Sequence, residues 1–129
     1  MAFGSTVEPC RSVASQLNAT LLNMRFVKPL DRDAILSAAA KHSTLVTVEE
    51  NAIAGGAGSG INELLAAEGV QASILNIGLD DNFIQHGTRQ EVIHQAGLDS
   101  EGIMARIIRF MGSDNRPTLH DDVIRKTGA

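Results

Sequence analysis

A chain of 129 residues with 43% hydrophobic content is long enough for one ordinary core and too short for two, so a single domain is expected. The net charge of −4, with eleven Lys and Arg scattered along the chain, excludes a basic stripe for nucleic-acid phosphates and a polybasic membrane patch. Aromatic content of 3%, without Trp or Tyr, leaves few platforms for stacking bases, and the single cysteine, Cys10, excludes an internal disulfide or a cysteine zinc cage.

Cys10 itself reads as a core residue, and one unpaired thiol fits a reducing compartment. No apolar run approaches the length of a membrane span, and no charged and apolar leader opens the chain, so it reads as soluble and cytoplasmic.

Residues 1–4 form a short apolar piece that reads as the remnant of a strand, which suggests that the natural polypeptide begins earlier. Ser5-x-x-Glu8, with Pro9 in the first turn, has the spacing of a capping box. It opens a helix whose apolar positions are Val7, Cys10, Val13, Ala14 and Leu17, with Asn18 as its stop. A strand is predicted over 20–26, and Pro29 imposes a turn after it by pushing Lys28 out of the α region. Asp31 caps a second helix that buries Ala34, Ile35, Ala38 and Ala39 and ends on Lys41 and His42.

A β-rich run over 44–48 then delivers Glu49, Glu50 and Asn51 to a strand end. A loop containing Gly55, Gly56, Gly58, Ser59 and Gly60 leads into a third helix facing inward through Ile61, Leu64 and Leu65 and stopped by Gly69. Residues 71–77 supply another strand, and 80–87 a loop. Thr88-x-x-Glu91 opens a helix that buries Val92, Ile93 and Ala96, and Gly97 stops it. Asp99 or Ser100 caps the last helix, whose face is Ile103, Ile107 and either Phe110 or Met111, with Gly112 as its end. This divides the chain into a domain over 1–112 and a polar, mobile tail over 113–129.

Strands alternating with helices of this length imply an α/β three-layer sandwich: a mainly parallel sheet of about five strands with helices on both faces. Ligands and partners of such sheets meet the carboxyl ends of the strands, where the glycine loop lies.

That loop fails the nucleotide fingerprints it superficially suggests. Ile61 stands where a dinucleotide motif needs Gly and a P-loop needs Lys, and Asn62 stands where the P-loop needs Ser or Thr. Close helix or subunit packing is therefore preferred to a phosphate cradle, although free amides at the helix start would suit an anion or a carboxylate. Glu49 and Glu50 are adjacent in a strand and so point to opposite faces. The expectation is one solvated carboxylate and one bonded to loop amides rather than an acid and base pair.

His42, His86, His94 and His120 are spread over different elements without metal-site spacing, and only His86, near Asp80 and Asp81, stands out. Asp80, Asp81 and Asn82 lack the length of a calcium loop. Ser5 and Ser59 lack a nucleophile elbow and read as helix caps.

Read together, Asn18-Ala19-Thr20 with 24–31, 45–53 with 55–60, Leu75-Asn76-Ile77-Gly78-Leu79-Asp80, Phe83-Ile84, His86-Gly87-Thr88 and Gly97-Leu98-Asp99 closely resemble the C-terminal region of the 1-deoxy-D-xylulose-5-phosphate synthase family. The resemblance covers roughly residues 2–111. It implies a transketolase C-terminal-like domain of a homodimeric transferase that uses thiamine diphosphate and Mg. Such an enzyme condenses pyruvate with glyceraldehyde 3-phosphate, releases carbon dioxide, and supplies isoprenoid, thiamine and pyridoxal precursors.

The family's metal-diphosphate motif, activating glutamate and proton-handling histidines have no counterpart in this sequence. No catalytic, cofactor or metal residue is assigned, and no cofactor is expected in this segment. The signature residues Glu49, Glu50, Asn51, Gly55, Gly56, Gly58, Ser59 and Gly60 are expected to serve contact with the catalytic domains of the same chain and with a second copy. The isolated segment is expected to be inactive and to expose an apolar patch around the loop. The alternative is an autonomous module binding an anionic ligand or regulator at the start of the third helix.

Overall fold

A computed structural model describes residues 1–113. Elements follow in the order α1 (Val7–Gln16), α2 (Arg32–Lys41), β1 (Thr44–Ala52), α3 (Ala57–Ala67), β2 (Ser73–Leu79), α4 (Arg89–Gln95) and α5 (Ser100–Ser113), with a 3₁₀ turn, Gly4–Thr6, ahead of α1. The predicted tail falls almost wholly outside the described residues.

β1 and β2 pair in parallel from Thr44 opposite Ser73 to Val48 opposite Ile77, and the register shifts before Ala52 meets Leu79. Among the described residues these two are the only full strands, against about five expected. The other predicted strands contribute single parallel bridges, Ala2 to Asn23 and Ala2 to Val48. Backbone bonds hold those bridges: Phe3 N donates to Val48 O, Val48 N to Met1 O and Met24 N to Ala2 O, each at 2.9 Å. The lateral order is thus residue 23, residue 2, β1, β2, all parallel.

Strand alternation distributes two cores. Ala2, Val48 and Ile77 face one side, where Cys10 and Val13 of α1 and Ile103 and Ile107 of α5 cover them. Leu45 and Phe3 face the other, covered by Ile35 and Ala38 of α2 and Ile61 and Leu65 of α3. This is the expected three-layer arrangement. Burial raises the pKa of the Cys10 thiol, so it packs as a small apolar side chain.

Several helix ends match their sequence signals. Asp31 Oδ1 accepts the Ala34 amide, Thr88 and Glu91 close a capping box, and α3 finishes with Glu68 as its C-cap and Gly69 beyond it. Asn18 adopts a positive φ of 50° directly after α1. Asp99 Oδ1 accepts the Gly102 amide, which makes Asp99 the cap of α5.

Other expectations are corrected. The Ser5 and Glu8 capping box does not form: Ser5 lies in the 3₁₀ turn and its hydroxyl donates to Glu50, while Glu8 pairs with Arg11 on the surface. α4 buries none of its residues fully, leaving Val92 and Ile93 half-buried. α5 runs one residue past Gly112, with Met111 exposed and Phe110 half-buried.

Candidate functional site

The parallel strands bring three segments to one carboxyl edge: the end of β1, the chain after residue 23 and the loop after β2. An open groove of about 500 Å³ runs along it between Phe3, Arg25, Val27, Glu50, Asn51 and Gly55.

β1 continues four residues beyond the predicted Val48, so Glu49, Glu50 and Asn51 are strand residues. Alternation then decides their roles. Glu49 shares a face with Leu45 and Thr47, the face that α3 covers, and it is 3% exposed. Its two carboxylate oxygens accept the amides of Ala57 at 2.7 Å and Gly58 at 2.8 Å. The carboxylate thus caps α3 from a distant strand, supplying negative charge and acceptors to orphan N–H groups of the first turn. Both carboxylate oxygens are thus engaged by backbone amides at the inner end of the groove.

Glu50 points to the opposite face. Its Oε2 accepts the Ser5 hydroxyl and Arg89 Nη2, the latter at 2.6 Å, joining the 3₁₀ turn, β1 and the start of α4. Asn51 is exposed at the bulge, where Gly78 of β2 lets its backbone pass: a Cβ on Gly78 would stand 2.7 Å from the Asn51 carbonyl oxygen.

The glycines divide by function, and only Gly55 and Gly56 precede α3. Gly55 takes a positive φ of 75° in the turn that follows β1. α3 starts at Ala57, four residues earlier than the apolar periodicity indicates, so Gly58, Ser59 and Gly60 are helical. A Cβ on Gly58 would lie 2.5 Å from Thr47 Oγ1 and 3.2 Å from Asn76 Oδ1, where the Thr47 hydroxyl donates to Asn76 at 2.9 Å. The absent side chain lets α3 sit directly on that buried polar pair. Gly60 meets only Leu30 Cδ1, at 3.4 Å.

Neither serine caps a helix. Ser59 Oγ donates back to Ile53 O at 3.2 Å and Gly56 O at 3.1 Å, closing the turn into α3.

His86, Asp80 and Asp81 are exposed in the loop after β2; Asp80 lies 3.9 Å from Arg106. His94 Nδ1 lies 2.6 Å from Asp99 Oδ2. That hydrogen bond, with the Asp99 charge, raises the His94 pKa, while the same bond and then the Gly102 amide lower that of Asp99. Among the described residues no group of three or more His, Cys, Asp or Glu is placed to hold a metal ion, and no helix is long and apolar enough to cross a membrane.

A more enclosed cavity of about 230 Å³ opens beside the start of β1, lined by Cys10, Val13 and Ile107 from α1 and α5, Val46 from β1, Leu22, and Ala38 from α2. Its walls are chiefly aliphatic, without the convergent polar groups that orient a ligand, so the carboxyl edge is the better candidate site.

Ser5, Arg89 and the Thr47 and Asn76 pair carry no signal in sequence spacing for these contacts. Ser5 meets Glu50 across 45 residues and Arg89 meets it across 39, separations that leave no local pattern.

Residues 1–103 match the family model described as transketolase, C-terminal domain. The chain is 59% identical over 109 residues to a 1-deoxy-D-xylulose-5-phosphate synthase of Chromohalobacter salexigens, covering 84% of this chain and 17% of the relative. It is 55% identical over 111 residues to the synthase of Colwellia psychrerythraea, covering 86% and 18% respectively. The synthase of Escherichia coli O6:K15:H31 is 56% identical over 105 residues, covering 81% and 17%. A solved chain described as "Split gene transketolase, inactive beta4 tetramer" superposes with a TM-score of 0.78 at 26% identity, covering 86% of this chain and 38% of that one. The chain therefore spans less than a fifth of the length of these curated relatives.

Proposed function

The chain belongs to the transketolase C-terminal domain family, and from that premise we propose that it serves as the C-terminal domain of a 1-deoxy-D-xylulose-5-phosphate synthase. The synthase condenses pyruvate with glyceraldehyde 3-phosphate in the cytoplasm, releasing carbon dioxide and supplying isoprenoid, thiamine and pyridoxal precursors. The observation that carries this reading is identity of 55–59% to synthases over more than four-fifths of the chain.

Thiamine diphosphate and Mg supply the carbanion chemistry in such an enzyme. The described residues do not fit their site. No metal-ligand cluster is present among them, and the α3 amides that could receive a diphosphate already hold the Glu49 carboxylate. No step through the cofactor is assigned to this segment.

Its role is domain packing and assembly of a homodimer, with the signature from Glu49 to Gly60 shaping a contact edge. Glu49 keeps α3 and β1 in register, and Glu50 with Arg89 and Ser5 fixes the neighbouring loops. An anionic regulator at the α3 start would have to displace Glu49, and no observation favours it.

The test replaces the matching stretch of the Chromohalobacter salexigens synthase with this chain. The chain alone is expected to release no carbon dioxide from pyruvate with thiamine diphosphate and Mg, and the hybrid to turn over within about tenfold of the parent, a barrier difference of about 1.4 kcal/mol. Turnover by the chain alone, or a folded but inactive hybrid, overturns the proposal.

A further inference from the structure

α4 is held to the rest of the molecule very differently at its two ends. At the carboxyl end Gly97 turns the chain at a positive φ of 63°, Leu98 beyond it is 1% exposed in the core, and Arg106 Nη2 donates to the Ala96 carbonyl at 3.2 Å. Asp99 holds His94 at that end as well. At the amino end every residue from Asp80 to Glu91 is exposed, and Arg89 Nη2 reaches across to the Glu50 carboxylate at 2.6 Å. The loop ahead of it carries one backbone hydrogen bond of its own, Asn82 N to Asp80 O at 2.8 Å.

Between these ends α4 offers the sheet the half-buried Val92, Ile93 and Ala96, and a cleft of about 270 Å³ lies alongside, lined by Ser5, Thr6, Pro9, Glu50, Arg89 and Ile93. A helix of seven residues is not stable away from its packing. Segments with little buried apolar surface and exposed backbone bonds open at a lower free energy than the core that carries them.

We propose that residues 80–96 form a strap, hinged at Gly97 and latched by Arg89 on Glu50, that opens from the carboxyl edge as one unit while both cores stay folded. In the closed form Glu50 and Arg89 neutralise each other; in the open form both charges are free. Ser5 and Glu50 line both the cleft and the groove along the edge, so opening widens one continuous recess. The carboxyl edge thus has two forms that differ in charge and in width. This holds or fails independently of the synthase reading.

Amide exchange of the 129-residue chain, followed residue by residue at rising urea below the unfolding midpoint, reads the opening. Amides of residues 92–96 are expected to share one rate with a shallow urea dependence, and to exchange about a hundredfold or more faster than those that pair β1 with β2. Arg89→Gln decides the latch by its sign. A cation in the first turn opposes the helix dipole, so on local helix stability alone this substitution would slow exchange in α4. Loss of the latch instead speeds it, by about two- to fivefold for an exposed pair and equally across 92–96, with the strand amides and the urea midpoint unmoved. Salt at about 1 M should speed α4 exchange in the native chain by a similar factor and leave the variant unchanged.

α4 amides that exchange only together with the strands, or at graded rates that fall from the amino end toward Ala96, overturn the strap as a unit. Exchange that Arg89→Gln slows or leaves unchanged overturns the latch, and the proposal with it.

Discussion

Glu49 commits both carboxylate oxygens to amides of α3, so its removal strands two buried donors at once. Each unsatisfied buried group costs about 1–3 kcal/mol, and Glu49→Ala is expected to lower stability by about 2–4 kcal/mol in urea unfolding. Glu49→Gln retains one acceptor but turns an NH₂ toward an amide, for a loss of about 1–2 kcal/mol. A loss under about 0.5 kcal/mol for the alanine variant would mean that water replaces the carboxylate. The glycines of the same stretch separate more sharply. Alanine at 58 would press its Cβ to 2.5 Å from Thr47 Oγ1 and break the Thr47 to Asn76 bond, costing about 1–3 kcal/mol. Alanine at 60 meets only a flexible Leu30 methyl, so Gly60→Ala is expected to stabilise by about 0.5–1 kcal/mol through helix propensity. Two variants two residues apart should therefore shift the urea midpoint in opposite directions; equal shifts would contradict the placement of α3 on Thr47.

Between elements, His94 and Asp99 tie the end of α4 to the start of α5, and their titrations give the link a pH window. Asp99 raises the His94 pKa, with Glu101 of α5 adding to it. The contribution of His94 is therefore complete below the ordinary imidazole value of about 6.5 and is lost as pH rises through the raised value. Asp99 is depressed, so its contribution is complete above about pH 4 and is lost only as pH falls through the lower value. The advantage of the native chain over His94→Gln should be greatest between about pH 4 and 6.5 and shrink above it. Urea midpoints at several pH values measure this, and parallel curves for the two proteins would remove the link. Where a cap is local, sequence spacing reads it correctly, as at Asp31 and Thr88 with Glu91. Ser5 and Glu8 have equally good spacing and form no box, because the Ser5 hydroxyl finds Glu50 on a neighbouring strand. The start of α3 is hidden for the same reason: its cap is a carboxylate eight residues upstream, and a run of Gly and Ser reads as loop until that partner is known.

In the whole molecule, the alternation of strands with helices along the chain predicts the layers, because parallel strands need crossover helices and those cover both faces of the sheet. It overstates the sheet, since the segments around Ala2 and Asn23 touch their neighbours at one bridge each and then diverge. What sequence spacing cannot supply is which loops share an edge; that follows from strand order, which brings the end of β1, the chain after residue 23 and the loop after β2 to the same side of the sheet. The alternation of side chains along β1 also makes the two cores interdependent. Ile77 is fully buried in the core beneath α1 and α5, and Ile61 is fully buried in the core beneath α2 and α3, with β1 contributing side chains to both. Ile77→Ala and Ile61→Ala should each cost about 2–5 kcal/mol. If β1 couples the faces, both variants unfold in one transition with the slope of the native chain, since the surface exposed on unfolding is the same. A second transition in either variant, or a slope reduced by about half, would show that one helical layer melts while the other holds.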